Sequence, residues 1–331
     1  MSIETFLTTH YSNLITQMKS LLFDIKRYAI NDGPGIRITM FMKGCPLSCK
    51  WCHNPESQSP DVQKLYTESK CIGAQECIKM CPEDALTLTP KGIVTDYQAC
   101  TLCGICADVC PTKAIEMSGR TYEIDELMQI IERERVHIEQ SNGGVTFSGG
   151  EPLMNAEFLM QMLDACGERK LHRTVDTCGF ADTDTLLEVA KRTELFLFDL
   201  KLMDEAKHKK WTGVSNKLIL KNLRLLAESG ANINIRVPLI RNVNADHNTL
   251  SEMAEFIAAL PGKKPVVNLL PYHNIAAGKY NKLGSEYNAM NMDEPSEEEQ
   301  NRAIAIFEKF GIEAEIGGRR YSNTRLAVSA A

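Results

Sequence analysis

Ten of the twelve cysteines in this 331-residue chain fall between positions 45 and 110. Such clustering reads as metal ligation rather than packing. Disulfides are disfavoured. The N-terminal MSIETFLTTHYSNLITQ has neither the basic start nor the apolar centre of a secretory leader. No apolar run reaches the roughly 18 residues of a membrane span. The chain is therefore expected in the cytoplasm, where thiols are kept reduced.

The cysteines form three groups. Cys45, Cys49 and Cys52 stand in CPLSCKWCHN, spaced C-x3-C-x2-C. They directly follow an apolar stretch, IRITMFM at 36–42, which reads as a strand paired with LLFDIKRYA at 21–29 through the turn Asn31 to Gly35. The other seven form a two-fold repeat, CIGAQECIKMCPEDAL and CTLCGICADVCPTKAI, each half reaching Cys-Pro before a short apolar segment. Residues 61–117 thus read as an inserted module.

From about 120 the pattern becomes helix and strand in alternation. Strands are expected at 145–148, 172–176, 195–199, 232–237 and 266–270. Helices include 155–166, with Leu159, Met162, Leu163 and Cys166 on one face, and 296–310, opened by the capping pair Ser296 and Glu299 and closed by Gly311. This alternation means a parallel sheet with β/α crossovers. With 36–42 there are about six units, fewer than the eight of a closed barrel.

In such sheets the chemistry gathers at the C-terminal strand ends. The Cys45 loop, Ser148-Gly149-Gly150-Glu151, Asp176-Thr177, Asp199-Leu200-Lys201 and Leu270-Pro271-Tyr272-His273 all occupy that position. A structural zinc site would use four ligands. Three thiolates suit a [4Fe–4S] cluster with one iron left open for substrate or cofactor.

The C-x3-C-x2-C triplet, with Trp51 before its last cysteine, resembles the signature of the radical S-adenosylmethionine superfamily. DGPGIR at 32–37, CHN ending at 54, SGGEP at 148–152, DTCG at 176–179, DLK at 199–201 and LLPYH at 269–273 extend the likeness. Together they resemble the glycyl-radical enzyme activating enzymes, relatives of pyruvate formate-lyase activase. The likeness implies an α/β fold, a partial (β/α)6 TIM-like barrel of the radical SAM type carrying a dicluster ferredoxin-like insert. Its parts would be an N-terminal extension at 1–20, the start of the barrel with the cluster loop at 21–60, the insert at 61–117, the remaining barrel at 118–316 and a tail at 317–331.

The resemblance also implies a mechanism. Cys45, Cys49 and Cys52 would hold the radical cluster, and S-adenosylmethionine would chelate its open iron. Reductive cleavage would give a 5′-deoxyadenosyl radical that takes hydrogen from a glycine of the partner. Gly149, Gly150 and Glu151 would receive the methionine ammonium. Asp176, Thr177 and Asp199 would bind a monovalent cation beside the cofactor carboxylate, which Lys201 would pair. Trp51 would lie near the adenine, His273 near the adenosine or the substrate loop, and Asp32 and Asn54 would meet the partner's glycine loop. The partners implied are a glycyl-radical enzyme and a flavodoxin or ferredoxin electron donor. Each position has a plainer reading: strand-end cap, turn or core residue. Cys166 and Cys178 read as non-ligating.

The second half of the repeat, Cys100, Cys103, Cys106 and Cys110-Pro111, follows the bacterial ferredoxin run, in which the fourth cysteine crosses to the other cluster. One auxiliary cluster is then expected on Cys81, Cys100, Cys103 and Cys106. The other keeps Cys71, Cys77 and Cys110, with Ala74 where a cysteine belongs. It could be [3Fe–4S], be completed by an oxygen such as that of Glu76, or be missing. The insert also points away from pyruvate formate-lyase activase itself, which lacks one.

Net charge is −6, with acids and bases interspersed, so a nucleic-acid surface is not expected. The densest basic run, Lys207 to Lys210, reads as a solvated helix face. Two other functions compete. An electron carrier would need no open iron. A radical enzyme acting on another peptide or a small molecule would not need the DGPG and CHN blocks.

Overall fold

A computed structural model describes residues 18–285, 287 and 292–318. Most of the expected N-terminal extension and tail lies outside these residues. β1 (Lys19–Ala29) runs antiparallel to β2 (Arg37–Met42). The insert follows, with β3 (Gln63–Tyr66), β4 (Leu86–Thr89), β5 (Gly92–Thr95) and β6 (Ile115–Ser118). β7 (Arg120–Glu123) returns to the main sheet, antiparallel to β1.

The parallel run is β2, β8 (Gly144–Gly149), β9 (His172–Thr177), β10 (Leu195–Asp199), β11 (Ile233–Leu239), β12 (Val266–Pro271) and β13 (Ala314–Ile316). Its spatial order is the chain order, and β1 and β7 extend the β2 edge. Helices lead from strand to strand, as β/α crossovers require. The sheet is a partial barrel: among the described residues its end strands, β13 and β7, do not pair with each other. Six strands match the expected units. The seventh, β13, has three residues and is partly exposed, too short to carry a periodicity.

Burial explains why these strands read as continuous apolar runs. Phe147, Val175, Phe196, Phe198, Ile235 and Val267 have no exposed surface, because helices cover one face of a parallel sheet and the barrel interior the other. The helix Ala156–Glu168 buries the expected face of Leu159, Met162, Leu163 and Cys166. Caps fix where helices start after the strand ends. Asp182, Asp204, Asp246 and Ser296 accept from first-turn N–H groups, and Ser296 with Glu299 completes the expected capping box. In the basic run the three lysines are exposed, but His208 is buried, bonded to Val214 and Thr212. Among the described residues no helix is long and apolar enough to cross a membrane.

The insert hangs on a two-stranded ribbon, β3 against β6, in register from Gln63 opposite Ser118 to Tyr66 opposite Ile115. The β4–β5 hairpin and two short helices, Glu76–Lys79 and Ile105–Asp108, fold over it. Its small core includes Cys77 and Cys106 beside Leu86, Ile93 and Ile115.

Candidate active site

A cavity of about 310 Å³ opens at the C-terminal ends of the parallel strands. Its wall includes Cys45, Cys49, Trp51 and Cys52 from the loop after β2, and Gly149 and Gly150 at the end of β8. Asp176 and Thr177 of β9, Asp199 of β10 and Lys201 complete the motif residues there. The sequence motifs, spread over more than 150 positions, therefore face one space.

Backbone bonds hold the cysteine loop in place. Gly44 N–H donates to Ser57 at 2.8 Å, Cys45 N–H to Gln58 at 3.1 Å and Ser48 N–H to Thr212 at 2.8 Å. The Trp51 ring lies 6.2 Å from that of Trp211. From the other side, Gly150 N–H donates to the Met42 carbonyl and Glu151 N–H to that of Gly44, both at 2.8 Å. The two glycines are needed for this approach. A Cβ at Gly149, whose φ is +118°, would sit 2.3 Å from Met42 N, and one at Gly150 would sit 2.1 Å from Gly44 O.

Burial pushes the Cys45 and Cys49 thiols up to about 12 and raises Cys52 as well, while Lys201 works against the rise. Such thiols ligate only where cationic charge compensates their ionisation. Among the described residues no three Cys, His, Asp or Glu side chains converge on one ion-sized point. Three cysteine thiols on one wall are the donor set that an iron–sulfur cluster with one open iron would take.

The carboxylates here are already compensated. Asp176 accepts from Ser148 Oγ at 2.7 Å and from Arg236 at 3.1 Å. Burial lifts it to about 6, with Arg236 opposing. Asp199 accepts from Lys201 Nζ at 2.7 Å. Burial works against the Lys201 charge, but Asp199, Cys49 and Cys178 outweigh it and raise the amine above the usual lysine range. Thr177 turns its hydroxyl to Glu151 at 2.6 Å. Arg236 and Lys201 thus supply positive charge to the two carboxylates for which the resemblance implies a monovalent cation.

One expectation is corrected. The Glu151 carboxylate is not part of the wall. It is 1% exposed and accepts from Thr177 Oγ1, Cys178 N–H and Leu153 N–H, so it ties the loop after β8 to β9. Of the two places expected for His273, the cavity wall is not taken: its ring is about half exposed and pairs with Glu294 at 3.2 Å. The preceding Tyr272 takes its place, with its hydroxyl 2.6 Å from that of Tyr287. Asp32 does line the cavity, held by Thr39 Oγ1 at 2.8 Å and, through its carbonyl, by Thr146 Oγ1 at 2.7 Å. Asn54 lines it too and accepts from Lys279 Nζ at 2.7 Å.

Wall residues without a motif of their own were not singled out from sequence: Phe41, Leu47, Pro238 and Ile240. Only their position at or just past the C-terminal end of a strand could have marked them. Cys178 also reaches the wall, as a buried thiol.

The insert has two smaller cavities. One is lined by Cys81, Cys100, Cys103 and Cys106 with Lys64 and Met117. The other is lined by Cys71, Cys77 and Cys110 with Tyr66, Ala74 and Glu76. Each pairs cysteines from both halves of the repeat.

Comparison with known proteins gives concordant matches. The radical SAM superfamily matches residues 98–256, a 4Fe-4S single cluster domain residues 31–89 and a 4Fe-4S dicluster domain residues 70–114. The chain is 43% identical to the trans-4-hydroxy-L-proline dehydratase activating enzyme of Clostridioides difficile, over 91% of this chain and 100% of that protein. It is 38% identical to the choline trimethylamine-lyase activating enzyme of Oleidesulfovibrio alaskensis, over 89% and 96%. It is 37% identical to the 4-hydroxyphenylacetate decarboxylase activating enzyme of Clostridium scatologenes, over 81% and 88%.

Proposed function

The chain belongs to the glycyl-radical enzyme activating enzymes of the radical SAM superfamily, and on that premise we propose which of its residues perform the activation. The reading rests on one observation: the three thiols of the C-x3-C-x2-C loop share a single cavity with Asp176, Asp199 and Lys201.

A [4Fe–4S] cluster with S-adenosylmethionine supplies a reducing electron, sulfonium cleavage and the 5′-deoxyadenosyl radical. The residues bind and orient. Cys45, Cys49 and Cys52 would hold the cluster. Lys201, charged because Asp199 stands beside it, pairs with the cofactor carboxylate. The Gly149–Gly150 edge and Asp176 receive the ammonium, and Arg236 keeps Asp176 ionised. Trp51, Leu47, Pro238, Ile240 and Tyr272 exclude water around the adenosine. Asp32 and Asn54, both fixed by hydrogen bonds, meet the glycine-bearing loop of the partner.

The partner's own chemistry is not written in this cavity, which has to accept only a glycine loop. The relatives serve a dehydratase, a lyase and a decarboxylase. A glycyl-radical enzyme of one of these classes is the proposed substrate. A flavodoxin or ferredoxin is the proposed donor, feeding electrons through the clusters of the insert.

The test is anaerobic. Reconstituted protein should carry about eight to twelve irons. With dithionite it should cleave S-adenosylmethionine to methionine and 5′-deoxyadenosine. Adding the matching glycyl-radical enzyme should produce a glycyl radical detectable by paramagnetic resonance. Stoichiometric zinc with little iron would overturn the reading.

A further inference from the structure

Lys64 stands in the wall of the four-cysteine cavity of the insert. It is only 5% exposed, and lysines are seldom buried without a partner of opposite charge. Among the described residues no carboxylate pairs with it. Its ammonium donates to Thr95 Oγ1 and lies 5.4 Å from the centre of the Tyr97 ring. Burial pulls the amine below the usual lysine range, and the sulfurs of Cys106, Cys100, Cys81 and Cys77 push it back up. The four cysteines share this cavity with the lysine.

The ribbon explains the placement. Lys64 and Tyr66 lie two residues apart on β3, opposite Met117 and Ile115 of β6, and so point to the same face about 6.5 Å apart. Lys64 and Met117 serve the four-cysteine cavity; Tyr66 and Ile115 serve the three-cysteine one. The Lys64 end is also the end tied to the barrel. Next to it, Gln63 accepts from Lys43 Nζ at 3.0 Å, and Lys43 donates as well to the carbonyl of Glu56, four residues beyond Cys52.

We infer that Lys64 sets the potential of the four-cysteine iron–sulfur cluster, its buried charge favouring the reduced state and holding an electron at the barrel side of the insert. The inference rests on the reading that Cys81, Cys100, Cys103 and Cys106 hold a cluster. The donor set fits one: four thiols line one cavity in a ferredoxin-type spacing. Reduction adds one negative charge, which a cation in a poorly screened site stabilises. Lys64 is a positioning residue here, acting through the ligands.

The experiment compares full-length protein with Lys64→Met, Lys64→Gln and Lys64→Arg after anaerobic reconstitution. Iron and sulfide are counted, and reduction is followed by paramagnetic resonance against applied potential. Cys103→Ser assigns the signal to its cluster. In either neutral variant the reduced-to-oxidised ratio of that cluster, at fixed potential, should fall at least tenfold, equivalent to 59 mV for one electron. Lys64→Arg should stay near wild type. An unchanged ratio in a neutral variant with full iron overturns the role. Loss of iron in both neutral variants also overturns it, in favour of a structural lysine. If wild type itself shows no signal that Cys103→Ser alters, the cluster reading fails instead.

Discussion

Lys201 Nζ lies 2.7 Å from Asp199 Oδ2, and the two side chains share a cavity wall with Cys49. A buried ammonium held by one carboxylate has further donors to offer. Lys201→Met should therefore weaken S-adenosylmethionine binding about tenfold to a hundredfold, the range of a charged hydrogen bond, with iron content unchanged. Equilibrium binding under anaerobic conditions checks this. Unchanged affinity would mean that the cofactor carboxylate is held elsewhere.

Cys45→Ala, Cys49→Ala and Cys52→Ala should each abolish reductive cleavage of S-adenosylmethionine. The assay is 5′-deoxyadenosine formed with dithionite. Wild-type rates in all three variants would remove the cysteine loop from the chemistry.

Gly150→Ala should act on the cysteine loop, although it changes no ligand. The added Cβ would meet the Gly44 carbonyl at 2.1 Å, next to Cys45. The loop has to shift, at a cost on the order of 2 kcal/mol or more. Iron should fall by about four per chain, with the insert signals retained. Full iron and an unchanged melting temperature would contradict the clamp.

Ala74→Cys should raise iron by about one and suppress any oxidised [3Fe–4S] signal, because Ala74 lines the cavity of Cys71, Cys77 and Cys110. Glu76 reaches the same cavity, but its carboxylate is exposed and paired with Lys79 at 2.7 Å. Glu76→Ala should therefore change little. The reverse pattern would make Glu76 the fourth ligand.

His172 gives a pH dependence. Burial, then the charge of Arg37, holds its imidazole near 4 against an ordinary 6.5. The folded state thus binds its proton later than the unfolded one. The stability this contributes is complete above about 6.5 and is lost as pH falls toward 4. The loss should be on the order of 1–3 kcal/mol after allowance for partial exposure. In His172→Asn the melting temperature should fall less over that window; an identical decline would remove His172 as the cause.

The sequence revealed the site unevenly. Positions just past apolar strands were legible, since a parallel sheet sends those ends to one side, and most motif residues do share the cavity. Side-chain partners were not. Asp176 meets Arg236 across the intervening β10, a relation fixed by sheet order and strand register. Glu151 turns inward because Thr177 and Cys178, at the end of β9 and just past it, offer it donors. Tyr272 and His273 are neighbours, and only their direction at the end of β12 decides which faces the cavity. β13 escaped because three residues hold no period. Lys64 gave no signal, because its burial depends on a hairpin folded from residues about thirty positions away.

The insert leaves and re-enters the barrel side by side, on the paired strands β3 and β6. That makes it a branch rather than a link. Across its stem the chain has only a neighbouring-strand gap of about 5 Å to close. Damage confined to the insert is therefore expected to spare the barrel, whose parallel strands pair in chain order without it, and with it the cofactor cavity.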